Sequence, residues 1–304
     1  MQPMQSGRDV NNDEDHSASM SASDDANRVG GANDAHPKSG SWGDHAGGGH
    51  AARRGWYLRC REGDIAERVV LVGDPGRVEL FARHLRSPRT VNTNRAMLAV
   101  TGHYGDVPVS VVSFGMGAPV LAVVLEEVVW LGARVVLRAG TAMSVAPGWY
   151  GSFIVADAAL RYEATSATYV PTAYPAVADH QLVHALCSVL DEHGLPWGRG
   201  TIASFDGFYS EMFALHEHAG RERDIARRRN ALRALGVAAA DMETSALLAI
   251  GHYLGVQCGS LCLVTVDGAS RLSLDGPERE ESERNLVLVS LEALGRCVLL
   301  PTRG

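Results

Sequence analysis

The chain predicts an α/β fold: a single domain with a central mixed, largely parallel sheet covered by helices on both faces, preceded by a disordered tail. Three observations carry this expectation. From Val69 onward, short β-branched runs alternate with longer helical patterns, the order that packs helices against a sheet. Several of the runs are apolar on both faces, which suits strands sandwiched between helix layers. Residues 1–55 are rich in Ser, Asp, Asn, Gly and His and poor in large apolar side chains, so they bury too little surface to offset chain entropy.

The expected strands are VVLVG at 69–73, VPVSVVS at 107–113, RVVLRAG at 134–140, FIVAD at 153–157 and SLCLVTVD at 260–267. Helices are expected at 77–85, 119–131, 179–192, 242–254 and 278–297, where apolar residues recur every three or four positions. The boundaries follow: 1–55 as tail, and 56–304 as one domain without internal repeats. The tail histidines His16, His36, His45 and His50 lack ligand spacing and read as solvated.

Bulk properties remove several function classes. A net charge of −7 over 304 residues argues against a nucleic-acid partner, which needs clustered Lys and Arg. The basic run 221–233 is interrupted by Glu222 and Asp224 and reads as a solvated helix face rather than a nucleic-acid patch. No stretch reaches about 18 apolar residues, so no membrane span is expected. Five cysteines form no CxxC pair or zinc spacing. With no apolar leader at the N-terminus, the expected location is the cytoplasm, and no metal or organic cofactor is implied.

Four segments carry candidate chemistry. Gly73-Asp74-Pro75-Gly76-Arg77 joins a strand to a helix; such a turn offers backbone amides and a guanidinium to an anion, or it serves turn geometry alone. Arg138 interrupts an apolar strand and Thr141 follows it. An arginine there needs an anionic ligand or an internal carboxylate. Ser113 to Pro119 contains a GxG but lacks the third glycine and the later acid of a dinucleotide site, and no GxSxG or HExxH is found. Asp241-Met242-Glu243 opens a helix, where acids are electrostatically welcome, and a carboxylate at Glu243 also suits a pair of sugar hydroxyls. Asp267 ends a long apolar strand, as a proton-holding acid or as an Asx-turn before Gly268.

Taken together, AERVVLVGDPGRVELF, NRAMLAVTGHYGDVPVSVVSFGMGAPVLAVVLEE, VVLRAGT, YPAVAD, DGFYSEMF and ADMETSALLAIGHYLGV resemble the nucleoside phosphorylase family of hexameric purine nucleoside, methylthioadenosine and uridine phosphorylases. The resemblance runs from about Trp56 to Leu299. It implies phosphate-dependent cleavage of a nucleoside's glycosidic bond to free base and ribose 1-phosphate, with inorganic phosphate as co-substrate. It further implies a phosphate site of Gly73, Arg77, Arg138 and Thr141, with Arg95 reaching the neighbouring subunit's phosphate. Ribose contacts fall to Met116, Met242 and Glu243, and base contacts to Phe208 and Ala240, with Asp241 beside them. Asp267 matches the acid that protonates a purine at N7, and Arg279 an arginine that assists it. Self-association as a dimer, or as a hexamer built as a trimer of dimers, follows from Arg95.

Departures from the family bear on the substrate. Tyr57 stands where the family has a histidine near the ribose 5′ position, and Ala142-Met143 adds bulk after Thr141. Met212 and Ala214 occupy the offsets where uridine enzymes carry a Gln and an Arg. Asp267 tilts the expectation toward purine nucleosides, with uridine phosphorolysis as the alternative. A nucleosidase using water, and a nucleoside-binding protein without activity, are the other readings.

Overall fold

The computed structural model describes residues 53–215 and 219–300. The tail expected at 1–55 lies outside the described residues up to position 52. Residues 53–55, expected to close it, are instead paired: Arg54 bridges Arg61, and the Gly55 N–H donates to the Cys60 carbonyl at 2.9 Å. Glu127 fixes this turn by accepting from the Tyr57 and Leu58 amides at 2.7 and 2.8 Å.

Ten strands form one mixed sheet. They are β1 (Arg68–Val72), β2 (Arg86–Asn92), β3 (Ala99–Tyr104), β4 (Val107–Ser113), β5 (Val135–Ser144), β6 (Phe153–Tyr162), β7 (Ala176–Val177), β8 (Trp197–Phe205), β9 (Val237–Asp241) and β10 (Gln257–Asp267). The path runs β10-β6-β8-β9-β5-β1-β4-β3-β2, and β10 also pairs with β5, so five strands close on themselves. Pairings of β1 with β4 and β5, of β5 with β10, and of β8 with β6 and β9 are parallel.

The closure follows from unequal strand lengths. β1 flanks β5 only as far as Arg138, opposite Leu71, whereas β5 continues to Ser144. Beyond the end of β1 the free edge of β5 is taken by β9, through Met143–Ala240 and Ser144–Ala239. The neighbour of β5 therefore changes at Arg138 to Met143. A change of partner beyond the carboxyl ends of parallel strands opens a crevice.

Among the described residues six helices cover the sheet: α1 (Pro75–Ala82), α2 (Ala118–Trp130), α3 (His180–Glu192), α4 (Ala219–Ala234), α5 (Thr244–Tyr253) and α6 (Gly276–Arg296). One apolar layer joins Phe81 of α1, Leu182, Leu186 and Leu190 of α3 and Leu286 and Leu294 of α6 to the sheet. The other joins Leu121 and Leu125 of α2 to Leu247 and Ile250 of α5. Each fully buried leucine contributes about 1.5–3 kcal/mol, so the two layers hold the crevice rigid. Among the described residues no helix is long and apolar enough to cross a membrane.

Candidate active site

The turns after β1 and β4 lie side by side, because Phe114 and Gly115 donate to the carbonyls of Val72 and Gly73 at 2.9 and 3.0 Å. A Cβ on Gly73 would sit 2.8 Å from the Gly115 oxygen, so only glycine admits this contact. Asp74 caps α1 by accepting from the Gly76 amide at 2.8 Å, with Pro75 in the first turn. That geometry delivers Arg77 into the interior, where it is 6% exposed. Its Nη1 reaches the Ala139 carbonyl and its Nη2 reaches Glu283 Oε1, both at 3.4 Å.

Arg138 enters the same crevice from β5. Its Nη2 donates to Glu243 Oε2 at 2.5 Å, and its Nη1 lies 3.2 Å from Asp241 Oδ2 and 2.8 Å from Cys262 Sγ. Burial opposes the charge, but Cys262, Asp241 and Glu243 outweigh it and push the pKa above the ordinary arginine value. Gly140 is the residue that permits this: a Cβ there would meet Arg138 Nη1 at 2.3 Å. The guanidinium thus folds over its own strand two positions on, as the two-residue period of a strand dictates.

Both guanidinium groups keep one hydrogen-bonding atom in reserve. The Nε atoms of Arg77 and Arg138 are buried and have no partner. An unmet buried donor costs about 1–3 kcal/mol, more when charged. Arg77 contacts the backbone of Ala139, the residue that follows Arg138, and charged donors of this kind suit an oxyanion. Thr141, half-buried, follows on the same strand.

Glu243 joins the turn after β4 to Arg138. Its Oε1 accepts the Gly117 amide at 2.7 Å while Oε2 takes Arg138. Gly115 and Gly117 have φ of +90° and +95°, a left-handed backbone that favours glycine, which accounts for the GxG. Met116 between them is 80% exposed. Asp241, expected beside the base, is 3% exposed and its oxygens are occupied by Ser204 Oγ at 2.6 Å, the Thr244 amide and hydroxyl, and Arg138. These contacts tie Asp241 to Arg138 and to the start of α5.

Phe208 opens a π-helical turn (Phe208–Met212) and stacks on Phe213 at 5.9 Å. Phe208, Met242 and Ala240 share one apolar cluster with Met143, Phe205 and Met212. The expected base residues and the sugar-side Met242 are thereby brought together. The added bulk at 142–143 packs inward, Ala142 against Ile154 and Val264 and Met143 into the Phe208 cluster.

Asp267 and Arg279, expected together as acid and assistant, contact different groups. Asp267 Oδ1 accepts from the amides of Ala269 and Ser270 at 3.0 and 2.7 Å and from the Ser270 hydroxyl, and Oδ2 accepts from Ser144 Oγ at 3.0 Å. The Ser270 amide above all holds the carboxyl below its usual range, against a smaller opposing effect of burial. Arg279 reaches Glu283 Oε1 at 3.3 Å and the Leu274 carbonyl instead of Asp267. Glu283, unsuspected from the sequence, thus ties Arg77 to Arg279.

Tyr57 and Arg95 lie together: the Arg95 guanidinium sits 5.3 Å over the Tyr57 ring, and Asn94 Nδ2 donates to the Tyr57 carbonyl at 2.7 Å. Arg95 is exposed, has φ of +54°, and makes no ion pair with a described residue. A groove of about 720 Å³ lined by Arg53, Arg134, His180 and Gln257 lies at the opposite ends of β5 and β10 and shares no residue with the site.

Comparison with known proteins agrees with this geometry. The profile of the Phosphorylase superfamily matches residues 67–295. A uridine phosphorylase of Treponema pallidum is 31% identical over 79% of this chain and 92% of its own length. One of Thermococcus kodakarensis is 33% identical over 76% and 83%. A guanosine phosphorylase of Halorubrum lacusprofundi is 30% identical over 70% and 82%. The crystal structure of Vibrio fischeri uridine phosphorylase superposes with a TM-score of 0.71 at 25% identity, over 80% of this chain and 98% of that one. The chain belongs to the phosphorylase superfamily.

Proposed function

We propose that this protein is a nucleoside phosphorylase, a pentosyltransferase that passes the ribosyl group of a nucleoside to inorganic phosphate and releases the free base. The observation that carries the reading is the pair of buried, unpartnered Nε atoms on Arg77 and Arg138, adjoining a carboxylate, Glu243, suited to sugar hydroxyls. Phosphate bound there meets the positive charge that develops on the sugar as the glycosidic bond stretches, and then adds at the anomeric carbon. Phosphate is the co-substrate, and the chemistry calls for no organic cofactor or metal.

The Ser144 and Ser270 hydrogen bonds that hold Asp267 in its turn favour a reaction in which the base leaves without a proton from that residue. This removes the reason for favouring purines, and relatives named for uridine and for guanosine support bases that carry ring carbonyls.

Charge counting supports a shared site. Arg77, Arg138 and Arg279 are already balanced by Asp241, Glu243 and Glu283, so an incoming phosphate needs a further cation. Arg95, exposed and without an acid partner, supplies it to a neighbouring copy, with Tyr57 beside the sugar. The protein then works as a dimer or a trimer of dimers, in the cytoplasm.

The test is chromatography of purified protein with uridine, inosine, guanosine, adenosine and methylthioadenosine, each with and without phosphate. Free base and a pentose phosphate should appear only when phosphate is present. Free pentose released by water alone, or tight nucleoside binding without any product, would refute the assignment.

A further inference from the structure

The base end of the site lacks the polar side chains expected of it, because Met212 and Ala214 stand where a Gln and an Arg would read a pyrimidine edge. A different element fills the gap. A cleft of about 310 Å³ lined by Met212, Ala214, Glu222, Arg229 and Gly268 is at the lower end of the range for small-molecule sites. A narrower one shares Met212 and Arg229 with it and is bounded by Met143 and Ala240, which belong to the Phe208 cluster. Arg229 of α4 stands where the two meet.

Its position is built. Arg229 Nη1 donates to the Gly268 carbonyl, and a Cβ on Gly268 would lie 3.3 Å from Arg229 Cδ and 2.3 Å from the Ser144 oxygen. The Gly268 amide in turn donates to Ser144 Oγ at 3.1 Å, the hydroxyl that holds Asp267. This single bond leaves the remaining N–H groups of Arg229 without a partner among the described residues. Across the cleft Arg271 pairs with Glu222 Oε1 at 3.0 Å and lies 5.1 Å over the Phe213 ring, so a carboxylate acceptor faces the same space.

We propose that Arg229, with Glu222 opposite, is the specificity-determining reader of the base, selecting nucleosides whose base presents a lactam edge, a ring carbonyl beside a ring N–H. The inference rests on the phosphorylase reading of the site. A guanidinium has donors and no acceptor, so it accepts a carbonyl and refuses an exocyclic amine. Uracil and 6-oxopurines offer a carbonyl and an N–H in this order, whereas cytosine and adenine offer an amine and a bare ring nitrogen. A site built around a half-buried donor rejects the wrong partner more strongly than a merely apolar pocket does.

Two matched pairs test this on the full-length protein: uridine against cytidine, and inosine against adenosine. In the wild type the oxo member of each pair should lead in kcat/KM by at least about a hundredfold. Arg229→Ala should reduce that lead to within about tenfold while the KM for phosphate is unchanged, and Arg229→Lys, which keeps one donor, should fall between. Each ratio is taken within one protein preparation, so a loss of folded protein cancels. Calorimetric binding of the same nucleosides without phosphate separates the two claims: an oxo preference in binding that Arg229→Ala erases upholds the reader even if no phosphorolysis occurs. Ratios unchanged by Arg229→Ala, or a wild type that favours the amino member, would overturn it.

Discussion

Arg138 and Glu243 are each 5% exposed and meet at 2.5 Å, so the residue proposed for the anion and the residue proposed for the sugar are one buried ion pair. The pair is extended by Asp241 on one side and the Gly117 amide on the other. On the proposed reading, phosphate and nucleoside meet a single preorganised unit, whose members cannot be altered independently.

Removing Arg138 outright leaves two buried carboxylates unpaired, which costs about 3–5 kcal/mol. Arg138→Ala is accordingly expected to lower the melting temperature markedly as well as to abolish turnover. Arg138→Lys keeps the charge but loses the fork geometry. It should remain folded by circular dichroism and lose about a hundredfold in kcat/KM for phosphate, the equivalent of one charge-assisted contact of about 3 kcal/mol.

Gly140→Ala places a methyl group within the volume of the Arg138 guanidinium. The guanidinium must move off its carboxylates, so activity should fall at least tenfold with a stability loss of about 1–3 kcal/mol, as overpacking usually costs. Denaturant unfolding and steady-state rates in one preparation check both.

Asp267→Asn discriminates between proton donor and turn anchor. As an anchor, its loss should leave phosphorolysis within about tenfold of wild type, against the 10²–10⁴-fold that removing a general acid costs. Its folded pKa is lowered, so the stability it adds is fully present above the ordinary carboxylate range and is lost as pH falls through the folded value. Asp267→Asn should thus be less stable than wild type at pH 7, and the gap should close below about pH 4. Thermal unfolding across pH reads this directly.

Arg95→Ala and Arg138→Lys should each fall to about a hundredth of wild-type activity alone. If Arg95 serves a neighbour, mixed oligomers pair an intact Arg138 of one copy with an intact Arg95 of the other. Co-expression of the two variants should then restore a measurable part of the activity, whereas no recovery would place Arg95 in its own subunit's site.

Much of this was legible in the sequence where apolar periodicity was strong. Helices at 119–131, 179–192 and 278–297 were found within two residues at each end, because each buries a continuous face. Strands β2, β3, β7, β8 and β9 escaped. β2 is polar, edge-lying and carries Pro88; β8 contains Gly198 and Gly200; β9 is mostly alanine, a residue with no strand preference. The arginines and Glu243 could be named because a charge inside an apolar run needs a partner. The roles of Gly140, Glu283 and Arg229 depend on contacts across 2 to 206 positions, and only Gly140, two residues after Arg138 on one strand, left a local signal. Asp267 was readable either way, and the Ser144 and Ser270 hydroxyls that decide it are set by the register of β5 against β10.

The central claim is that Arg77 and Arg138 together hold an oxyanion. Calorimetric titration of the protein with inorganic phosphate measures it most directly. One phosphate per chain is expected for the wild type, with binding weakened at least about tenfold in Arg77→Lys and in Arg138→Lys. Equal affinity in all three proteins, or no saturable binding by the wild type, would contradict the account.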